Sequence, residues 1–453
     1  MNILLIIFDG LADRPAPELD GRTPLEAART PNLDRLAAEG VSGLFHPKSP
    51  GYPLGSPLAL HLMFGYAEEE FPDRGPLLAT ARGLPIADGE VVLAARFAAV
   101  ARAQTGGRPP EGDRLRLLQR FIRDEDAACR ALADAIAEFQ ADGLRFRYVY
   151  SGRGDGILYV AGGASFEVTD TDPLGLDLPV LRALPRAEAS DPVLARRTAD
   201  ALNSYLAWAH ARLGSHPLAQ ERSRDSALPI NFLITKWAGP KPSYEPFARR
   251  WGLRPASLPD EEVVSGLMLE LGFHLEQVED EEPEADLRRR LRRARELLAG
   301  GFEFVHLHSK YPDPMSHDNE PLRVRDAIEA LDRGMEYYWR ELAGDPELVT
   351  VLTTDHTTPS VWAHHPRGQF SDQHSGESVP IAIRGGNLRV DGVLEFGERA
   401  AASGGLGHLR GADFMPVLLN AAERTNMYEM RPTPERRLYR PRPEEVEPFT
   451  LPD

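Results

Sequence analysis

Carboxylate and imidazole side chains recur beside apolar segments of the chain, and these residue types in such positions can bind divalent metal ions. The segments are rich in β-branched or aromatic residues, which predicts buried strands. Open α/β sheets bind ligands at the carboxyl ends of their strands, so side chains that follow different strands can meet there. Five candidate ligands follow an apolar segment and a sixth precedes one; they are Asp9, Asp313, His317, Asp355, His356 and, before its strand, His374.

Carboxylates mixed with imidazoles favour Mn²⁺, with Zn²⁺ or Mg²⁺ as alternatives, and the absence of thiolates from these segments disfavours a closed structural zinc site. We therefore expect an open catalytic site with two divalent metal ions. Ser56, in the Pro- and Gly-rich segment 49–57, adds a hydroxyl group. A nearby cation favours the alkoxide form of a hydroxyl, so Ser56 is the candidate nucleophile.

The elements that must position these residues alternate between strand and helix. Residues 2–8 predict a buried parallel strand. A helix follows, with Thr30 as N-cap, Pro31 at its first position and Gly40 at its end. Later strands are predicted over 228–237, 349–354 and 379–383, with a helix over 327–342. This alternation indicates an α/β fold with a mostly parallel sheet.

The order of the candidate residues resembles the alkaline-phosphatase-type metalloenzyme superfamily, and within it the archaeal-type branch of cofactor-independent phosphoglycerate mutases. The likeness covers nearly the whole chain. Supporting stretches lie at 9–15, 22–28, 30–37, 64–66, 74–76, 169–173 and 413–416. The resemblance implies an alkaline-phosphatase-like three-layer core with a mostly parallel sheet, plus an inserted, smaller α+β cap domain.

The resemblance also implies a role for each candidate residue. It gives two sets of metal ligands, one of Asp313, His317 and His374 and the other of Asp9, Ser56, Asp355 and His356. Ser56 would be phosphorylated and relay the phosphoryl group, and Lys310 would approach the transferring phosphate. His364 and His365 are alternatives to His374, which we prefer because its distance from the strand at 379–383 matches the family.

The residues expected to bind substrate depart from the family pattern. Family members usually continue after the serine with Asp-Thr-Ala-His, whereas this chain reads Pro-Leu-Ala-Leu-His over 57–61. Two family arginines fall on Ala94 and near Asp155, and a third, in a Leu-Arg-Gly-Ala-Gly segment, falls on Lys236. A lysine does not replace the bidentate fork of an arginine. The remaining candidates for substrate binding are Arg74, Arg96, Arg153, Arg367 and Lys236 itself.

The expected domains follow from these assignments and from changes in composition. The first part of the metalloenzyme core is expected over 1–75, the inserted cap over 76–190 and the second part of the core over 191–430. Within the cap, a helix is predicted over 126–139 and strands over 145–149 and 156–160. The Pro-, Arg- and Glu-rich tail over 431–453 is expected to be extended or poorly ordered.

Composition excludes several classes of protein. The 453 residues, 42% of them hydrophobic, suffice for two or three domains. We expect a cytoplasmic protein without a membrane partner, because no apolar run is long enough to span a bilayer and the amino terminus leads directly into a strand. The net charge of −17 disfavours nucleic acid as a partner, and the arginines at 288–290 and 292–293 are expected on the solvated face of a helix. Cys129 alone excludes an intrachain disulfide, and the oligomeric state is left undefined.

The resemblance implies phosphoryl transfer through a phosphoserine, interconverting 3-phosphoglycerate and 2-phosphoglycerate. The alternative is a metal-dependent phosphohydrolase or phosphotransferase acting on another small phosphorylated or phosphonate metabolite, which the altered residues after Ser56 and at 94 and 155 favour. The cap decides between them, because a mutase must keep water away from the phosphoserine. A third hypothesis, a metal-binding or regulatory protein without catalysis, does not account for a serine beside the ligands.

Overall fold

The computed structural model describes residues 1–102, 114–122, 125–224, 227–279, 281–362 and 373–451. The strands in these ranges are β1 (Asn2–Phe8), β2 (Val41–His46), β3 (Val91–Arg102), β4 (Leu115–Gln119), β5 (Glu138–Ala141), β6 (Leu144–Gly152), β7 (Asp155–Ala161), β8 (Phe232–Pro240), β9 (Pro255–Leu258), β10 (His274–Leu275), β11 (Phe304–Ser309), β12 (Leu348–Thr353), β13 (Val379–Arg384) and β14 (Gly407–Arg410). The α-helices are α1 (Pro24–Ala27), α2 (Pro31–Ala38), α3 (Ser56–Met63), α4 (Arg74–Ala81), α5 (Asp126–Asp134), α6 (Pro192–Ser215), α7 (Pro217–Arg224), α8 (Phe247–Trp251), α9 (Glu262–Glu270), α10 (Pro283–Ala299), α11 (Pro312–His317), α12 (Pro321–Gly334), α13 (Glu336–Glu341), α14 (Glu398–Ala401) and α15 (Gly411–Ala421). Short 3-10 helices lie at Pro17–Leu19, Glu68–Glu70 and Pro443–Glu445.

The chain divides into two compact units. The first, which we call the core unit, comprises Met1–Phe71 and Tyr244–Asp453, and the second, the inserted unit, comprises Pro72–Ser243. The first boundary lies close to the expected one at 75. The second lies about fifty residues beyond the expected boundary at 190.

The core unit is built on one eight-stranded sheet. Its strand order is β10-β9-β11-β1-β12-β13-β2-β14. The first five strands run parallel, β13 runs antiparallel to both of its neighbours, and β14 runs parallel to β2. Strands β11 and β12 are buried along their whole length, which is typical of central strands with helices on both faces. The expected α/β fold with a mostly parallel sheet is confirmed.

Most elements of the core unit lie where the sequence predicts them. Strands β12 and β13 match the predicted 349–354 and 379–383 to within one residue. The helix predicted over 327–342 is two helices, α12 and α13, which meet at Met335. Thr30 precedes α2 as predicted, but its hydroxyl donates to the Asp34 carboxylate at 3.3 Å and accepts no backbone N–H.

The inserted unit has an antiparallel sheet with the order β4-β3-β7-β6-β5, and β8 pairs with β3 as well. The sequence predicts β8 as a strand, over 228–237, but assigns it to the core. That assignment is wrong, because β8 pairs with β3 over seven residue pairs, including Ala95 with Thr235. Helix α6 packs Leu202 and Tyr205 into the same hydrophobic cluster as β8. These pairings between distant segments place residues 191–243 in the inserted unit.

Other predictions for the inserted unit hold with one change. Strands β6 and β7 contain the predicted 145–149 and 156–160. The predicted helix 126–139 ends at Asp134, and its last residues instead form β5, which pairs with β6. Cys129 lies on α5 and is fully buried, which agrees with a packing role.

The carboxyl-terminal tail is largely irregular but attached to the core unit. Tyr439 is buried and bridges Thr425. The Arg442 guanidinium donates to the Gly252 carbonyl at 2.9 Å. The tail is therefore an extended segment held by specific contacts. Among the described residues, every helix is too short or too polar to traverse a lipid bilayer.

Candidate metal centre

The candidate ligands of the core unit converge because three neighbouring parallel strands deliver them. Asp9 directly follows β1, and Asp355 and His356 follow β12, which pairs with β1. On the other side of β1, strand β11 leads through Lys310 into α11, whose first turn carries Asp313. The carboxyl ends of these strands therefore bring the polar side chains to one edge of the sheet.

Ser56 is the first residue of α3 and is buried at this edge. Its hydroxyl donates to Asp9 Oδ2 at 3.3 Å and lies 3.0 Å from His356 Nε2. Pro57, which departs from the family pattern, occupies a helix position where no backbone N–H is needed. The substitution thus preserves the helix that presents Ser56.

One group of ligands surrounds Asp313. His317, one helical turn further along α11, places Nε2 3.2 Å from Asp313 Oδ1, and His374 Nε2 lies 3.7 Å from the same oxygen. The two imidazole Nε2 atoms are 3.3 Å apart. His374 Nδ1 donates to the Leu54 carbonyl at 2.6 Å, which leaves the lone pair of Nε2 available to a metal ion.

A second group surrounds Asp9. His356 Nε2 lies 3.2 Å from Asp9 Oδ1 and 3.4 Å from Asp355 Oδ2. The Thr358 hydroxyl donates to Asp313 Oδ1 at 3.0 Å and accepts from His356 Nδ1 at 3.1 Å, so the His356 lone pair is also on Nε2. This network sets the orientation of the imidazole.

The spacing of these donor atoms fits shared metal ions. Ligand atoms bound to one tetrahedral ion at about 2.1 Å lie about 3.4 Å apart. The separations of 3.2–3.7 Å in the structure bracket that value. Among the described residues, the buried atoms Asp9 Oδ1 and Asp355 Oδ2 have no hydrogen-bond partner, and buried polar atoms without partners are rare. The residues present therefore fit divalent cations.

The main chain joins the two groups at Gly10. The Asp313 N–H donates to the Asp9 carbonyl at 3.1 Å. Gly10 has a φ of +70°, and a Cβ at this position would lie 2.5 Å from Asp313 Cα. Only glycine permits both the backbone conformation and the close approach. The separation of the two ligand groups is therefore set by backbone contact.

Burial shapes the protonation of the ligands. Burial, together with the charges of Asp313 and Asp355, raises the pKa of Asp9 well above its usual range. Burial also raises the pKa of Asp355, to about 6. It works in the same direction on Asp313, but His317 and Lys310 hold that pKa well below its usual range. Burial lowers the pKa of His356 to about 4 and that of His374 to about 3, so both rings are neutral at pH 7 and able to bind a metal ion.

Lys310 points toward the Asp313 group. Its Nζ lies 3.3 Å from Glu261 Oε2 and 3.9 Å from Asp313 Oδ2. Burial opposes the charged form, but the carboxylates of Glu261 and Asp313 raise the pKa of Lys310 above its usual value. The lysine is therefore a fixed positive charge beside the ligands.

Arg290 corrects the expectation that the arginines of α10 are solvated. Its side chain is fully buried and pairs with Asp286 at 2.7 Å and with Asp260 at 3.1 Å. Asp260 also accepts the backbone N–H of Lys310 at 2.9 Å. The charge run alone gave no sign of this role, because Asp260 comes from a different part of the chain.

The sequence reasoning also missed two residues of the site. Glu261 pairs with Lys310 but follows no long apolar segment, so no sequence pattern marks it as a residue of the site. His308 lies at the end of β11, inside a segment that already carries Asp313 and His317. Its side chain is fully buried, with Nε2 3.7 Å from Asp9 Oδ2. The alternating imidazoles at 306 and 308 were the available signal.

Four of the candidates for substrate binding belong to the inserted unit; they are Arg74, Arg96, Arg153 and Lys236. Arg74 opens α4 and lies over the Trp237 ring, 5.1 Å from its centroid. Lys236 Nζ lies 4.4 Å from the centroid of the same ring. Trp237 has a φ of +59°, at the position where the family resemblance places a glycine. Two cations thus lie near one aromatic ring, and the residue that carries the ring has an unfavourable backbone conformation.

Two of these candidate cations, Arg96 and Lys236, lie close to carboxylates, and a third, Arg153, is exposed. Arg96, on β3, pairs with both carboxylate oxygens of Asp155, and Lys236 lies 3.5 Å from Asp172. Arg153 is exposed in the turn between β6 and β7. Arg367, His364 and His365 lie outside the described residues.

Comparisons with known proteins agree with this architecture. The profile of the family described as the metalloenzyme superfamily matches residues 1–421. A 2,3-bisphosphoglycerate-independent phosphoglycerate mutase of Methanocaldococcus jannaschii is 33% identical over 99% of both chains, and one of Methanopyrus kandleri is 33% identical over 94% of this chain and 98% of its own.

Solved structures show the same relationship. A Pyrococcus horikoshii protein superposes with a TM-score of 0.73 at 29% identity, covering 95% of this chain and 99% of its own. The cofactor-independent phosphoglycerate mutase of Thermoplasma acidophilum gives a TM-score of 0.60 at 28% identity, covering 93% and 99%. The expected metalloenzyme fold is confirmed.

Proposed function

The chain belongs to the 2,3-bisphosphoglycerate-independent phosphoglycerate mutase family of the metalloenzyme superfamily, and from that premise we propose that it interconverts 3-phosphoglycerate and 2-phosphoglycerate through a phosphorylated Ser56. The observation that carries the proposal is the position of the Ser56 hydroxyl. It is buried at the start of a helix, 3.3 Å from Asp9 Oδ2 and 3.0 Å from His356 Nε2.

The surroundings of Ser56 suit a phosphoryl group. The amino terminus of α3 favours negative charge, because the helix dipole and free N–H groups point toward it. Two acceptors lie within reach of the Ser56 hydroxyl proton, Asp9 Oδ2 at 3.3 Å and His356 Nε2 at 3.0 Å, so the proton can leave the oxygen as the serine attacks. In the proposed reaction Ser56 Oγ bonds to phosphorus as the bond to the 3-oxygen of the substrate breaks. The glycerate then takes the group back on its 2-oxygen, which restores the serine.

Two divalent cations, with Mn²⁺ favoured and Zn²⁺ or Mg²⁺ as alternatives, would neutralise charge on the transferring group when bound. We assign one to Asp313, His317 and His374, and the other to Asp9, Ser56, Asp355 and His356. The spacing of the donor atoms supports this assignment. Lys310 adds a fixed positive charge, which stabilises the phosphoryl oxygens in the transition state.

We further propose that the substrate-binding groups come from Arg74 and Lys236, with Arg96 and Arg153 as additional candidates. A small phosphorylated acid is the expected partner, and the net charge of −17 supports no role for nucleic acid. We also propose a cytoplasmic location, because the proposed substrate is a small metabolite.

One observation favours the alternative, a phosphohydrolase or phosphotransferase with another small phosphorylated or phosphonate substrate. Near the position where the family resemblance places an arginine, this chain has Asp155, which pairs with Arg96. Lys236 likewise lies 3.5 Å from Asp172. Cations that are neutralised internally bind a substrate carboxylate less strongly. This arrangement is compatible with a substrate that differs from phosphoglycerate.

The test is an assay of the purified, Mn²⁺-loaded protein with 3-phosphoglycerate, following 2-phosphoglycerate and free phosphate together. Ser56→Ala should abolish the reaction. Ser42→Ala removes a buried hydroxyl of β2 in the same unit and serves as the matched control. Formation of 2-phosphoglycerate in the wild type and in the control supports the mutase. Release of free phosphate alone establishes the alternative. If neither 2-phosphoglycerate nor free phosphate forms, phosphoglycerate is not the substrate.

A further inference from the structure

His308 is a buried imidazole for which the described residues provide no hydrogen-bond partner. It lies on β11, and its side chain has no solvent exposure. In the described part of the chain, neither Nδ1 nor Nε2 forms a hydrogen bond. Leaving a buried polar group unpaired costs about 1–3 kcal/mol, so such a residue in a folded core requires an explanation.

The ring faces the ligand group around Asp9. His308 Nε2 lies 3.7 Å from Asp9 Oδ2, a separation too long for a hydrogen bond but within the range found between the other candidate ligands. Donor atoms of Asp9, His308 and Asp355 all lie within 4.8 Å of one another. Asp355 Oδ2 also has no hydrogen-bond partner among the described residues. Asp9, His308 and Asp355 are thus three buried side chains with donor atoms close enough to bind one cation.

Packing alone does not account for His308, as its neighbour shows. His306 lies two residues earlier on the same strand and face and is equally buried. Its Nδ1 is 2.9 Å from the Ser257 hydroxyl, so that ring has a protein partner. Within the described residues His306 lacks a partner only at Nε2, whereas His308 lacks one at both ring nitrogens and has Asp9 Oδ2 3.7 Å from its Nε2. The difference indicates a ligand-binding role for one histidine and a structural role for the other.

We propose that His308 Nε2 is a further ligand of the cation held by Asp9 and Asp355. The cation would then have two imidazoles, His308 and His356, in addition to the two carboxylates and the Ser56 hydroxyl. This inference rests on the proposed two-cation site and extends its ligand set. A second nitrogen ligand favours Zn²⁺ or Mn²⁺ over Mg²⁺, which prefers oxygen.

The test is metal binding by the apo protein without substrate. Zn²⁺ affinity and stoichiometry are measured by competition with a chelator for the wild type, His308→Leu and the matched control His306→Leu. His308→Leu should weaken one of the two Zn²⁺ sites by roughly tenfold or more, since even outer-shell changes cost about 10- to 100-fold. The other site should be unchanged, and His306→Leu should leave both sites within about threefold of the wild type. Equal affinities in the two leucine variants would overturn the proposal.

A second pair of variants covers the case in which His308→Leu does not fold. His308→Gln keeps the volume and supplies an oxygen atom, so the ratio of Zn²⁺ to Mg²⁺ affinity should fall by about tenfold. His306→Gln should leave the ratio unchanged. An unchanged ratio in His308→Gln contradicts the proposal. Because these readouts use metal alone, they stand even if the phosphoglycerate assay fails.

Discussion

Arg290 and Asp260 form a buried ion pair, with Nη2 and Oδ1 3.1 Å apart, and Asp260 uses its other oxygen to hold the backbone N–H of Lys310. Arg290 also pairs with Asp286 and donates to the carbonyls of Leu258 and Pro259 at 3.4 and 3.2 Å. The guanidinium thereby ties α10 to the end of β9 and, through Asp260, to the residue that follows β11. The position of Lys310 depends on this network.

We expect Arg290→Met to lower the free energy of unfolding by about 3–5 kcal/mol, because it leaves two buried carboxylates without their cation. Urea unfolding followed by circular dichroism measures the change. Arg289→Met is the matched control. The Arg289 side chain is one-third exposed and pairs with Glu279 and Glu281, so its loss should cost no more than about 1 kcal/mol. A similar loss for both variants would argue against the network.

Lys310→Met should reduce kcat by roughly 100- to 1,000-fold, the effect typical of removing one group that stabilises transition-state charge. Metal stoichiometry should remain at the wild-type value, because Lys310 is a neighbour of the ligands and not one of them. Steady-state kinetics and metal analysis measure the two quantities. Lys48→Met, which removes a surface pair with Glu68, should leave kcat unchanged. Retention of full activity by Lys310→Met would exclude the assigned role.

Trp237→Gly should raise KM several-fold with little change in kcat. The substitution removes the ring shared by Arg74 and Lys236, which are assigned to binding and not to the chemical step. It also relieves a left-handed backbone conformation that costs a non-glycine residue about 1–2 kcal/mol, so stability should not fall. Trp237→Phe keeps an aromatic face and should stay close to the wild-type KM. If glycine and phenylalanine raise KM equally, the ring has no part in positioning the two cations.

Glu398 makes the stability of the apo protein sensitive to pH. Its carboxylate accepts the Thr23 hydroxyl at 2.9 Å and the Asp13 N–H at 3.2 Å, and burial raises its pKa to about 7. A raised pKa means that the folded state binds the proton more tightly than the unfolded state. The stability contribution is therefore complete below the unfolded pKa near 4.5 and is lost as pH rises through 7.

Between pH 5 and pH 8 this loss should amount to about 2 kcal/mol for Glu398. Glu398→Gln removes the titration, so the urea midpoint of this variant should fall less steeply with pH than that of the wild type. Burial also raises the pKa of Asp13 to about 7, so titration of Asp13 accounts for the pH dependence that remains in the variant. Glu395→Gln, at an exposed position three residues away, should keep the wild-type slope. A wild-type slope in Glu398→Gln would show that this carboxyl is ionised in the folded state.

Much of the candidate site could be predicted from the sequence because its geometry follows from regular structure. Apolar segments 2–8, 304–309 and 348–353 form adjacent parallel strands, so Asp9, Lys310 and Asp355 had to meet at one edge. The turn of α11 likewise places Asp313 and His317 on one face. Local periodicity and the resemblance were sufficient for these residues.

The remaining features depend on contacts between distant segments. Arg290 looked like part of a solvated charge run, and its burial is set by Asp260, some thirty residues earlier in the chain. Strand β8 was recognised as a strand but not as a partner of β3. The two strands are more than a hundred residues apart in the sequence, and pairing between such distant segments leaves no local signal. The length of α5 was overestimated because the turn into β5 carries neither glycine nor proline.

The close approach of Gly10 to Asp313 bears on how this protein can change over evolution. Because main-chain atoms set the contact between the two ligand groups, a side chain at residue 10 would force them apart, whereas side chains of the inserted unit take no part in this contact. The inserted unit is then free to acquire new side chains, such as Asp155 and Trp237, without disturbing the metal-binding geometry. Laboratory selection for new phosphorylated substrates should therefore randomise the inserted unit and hold Gly10 constant.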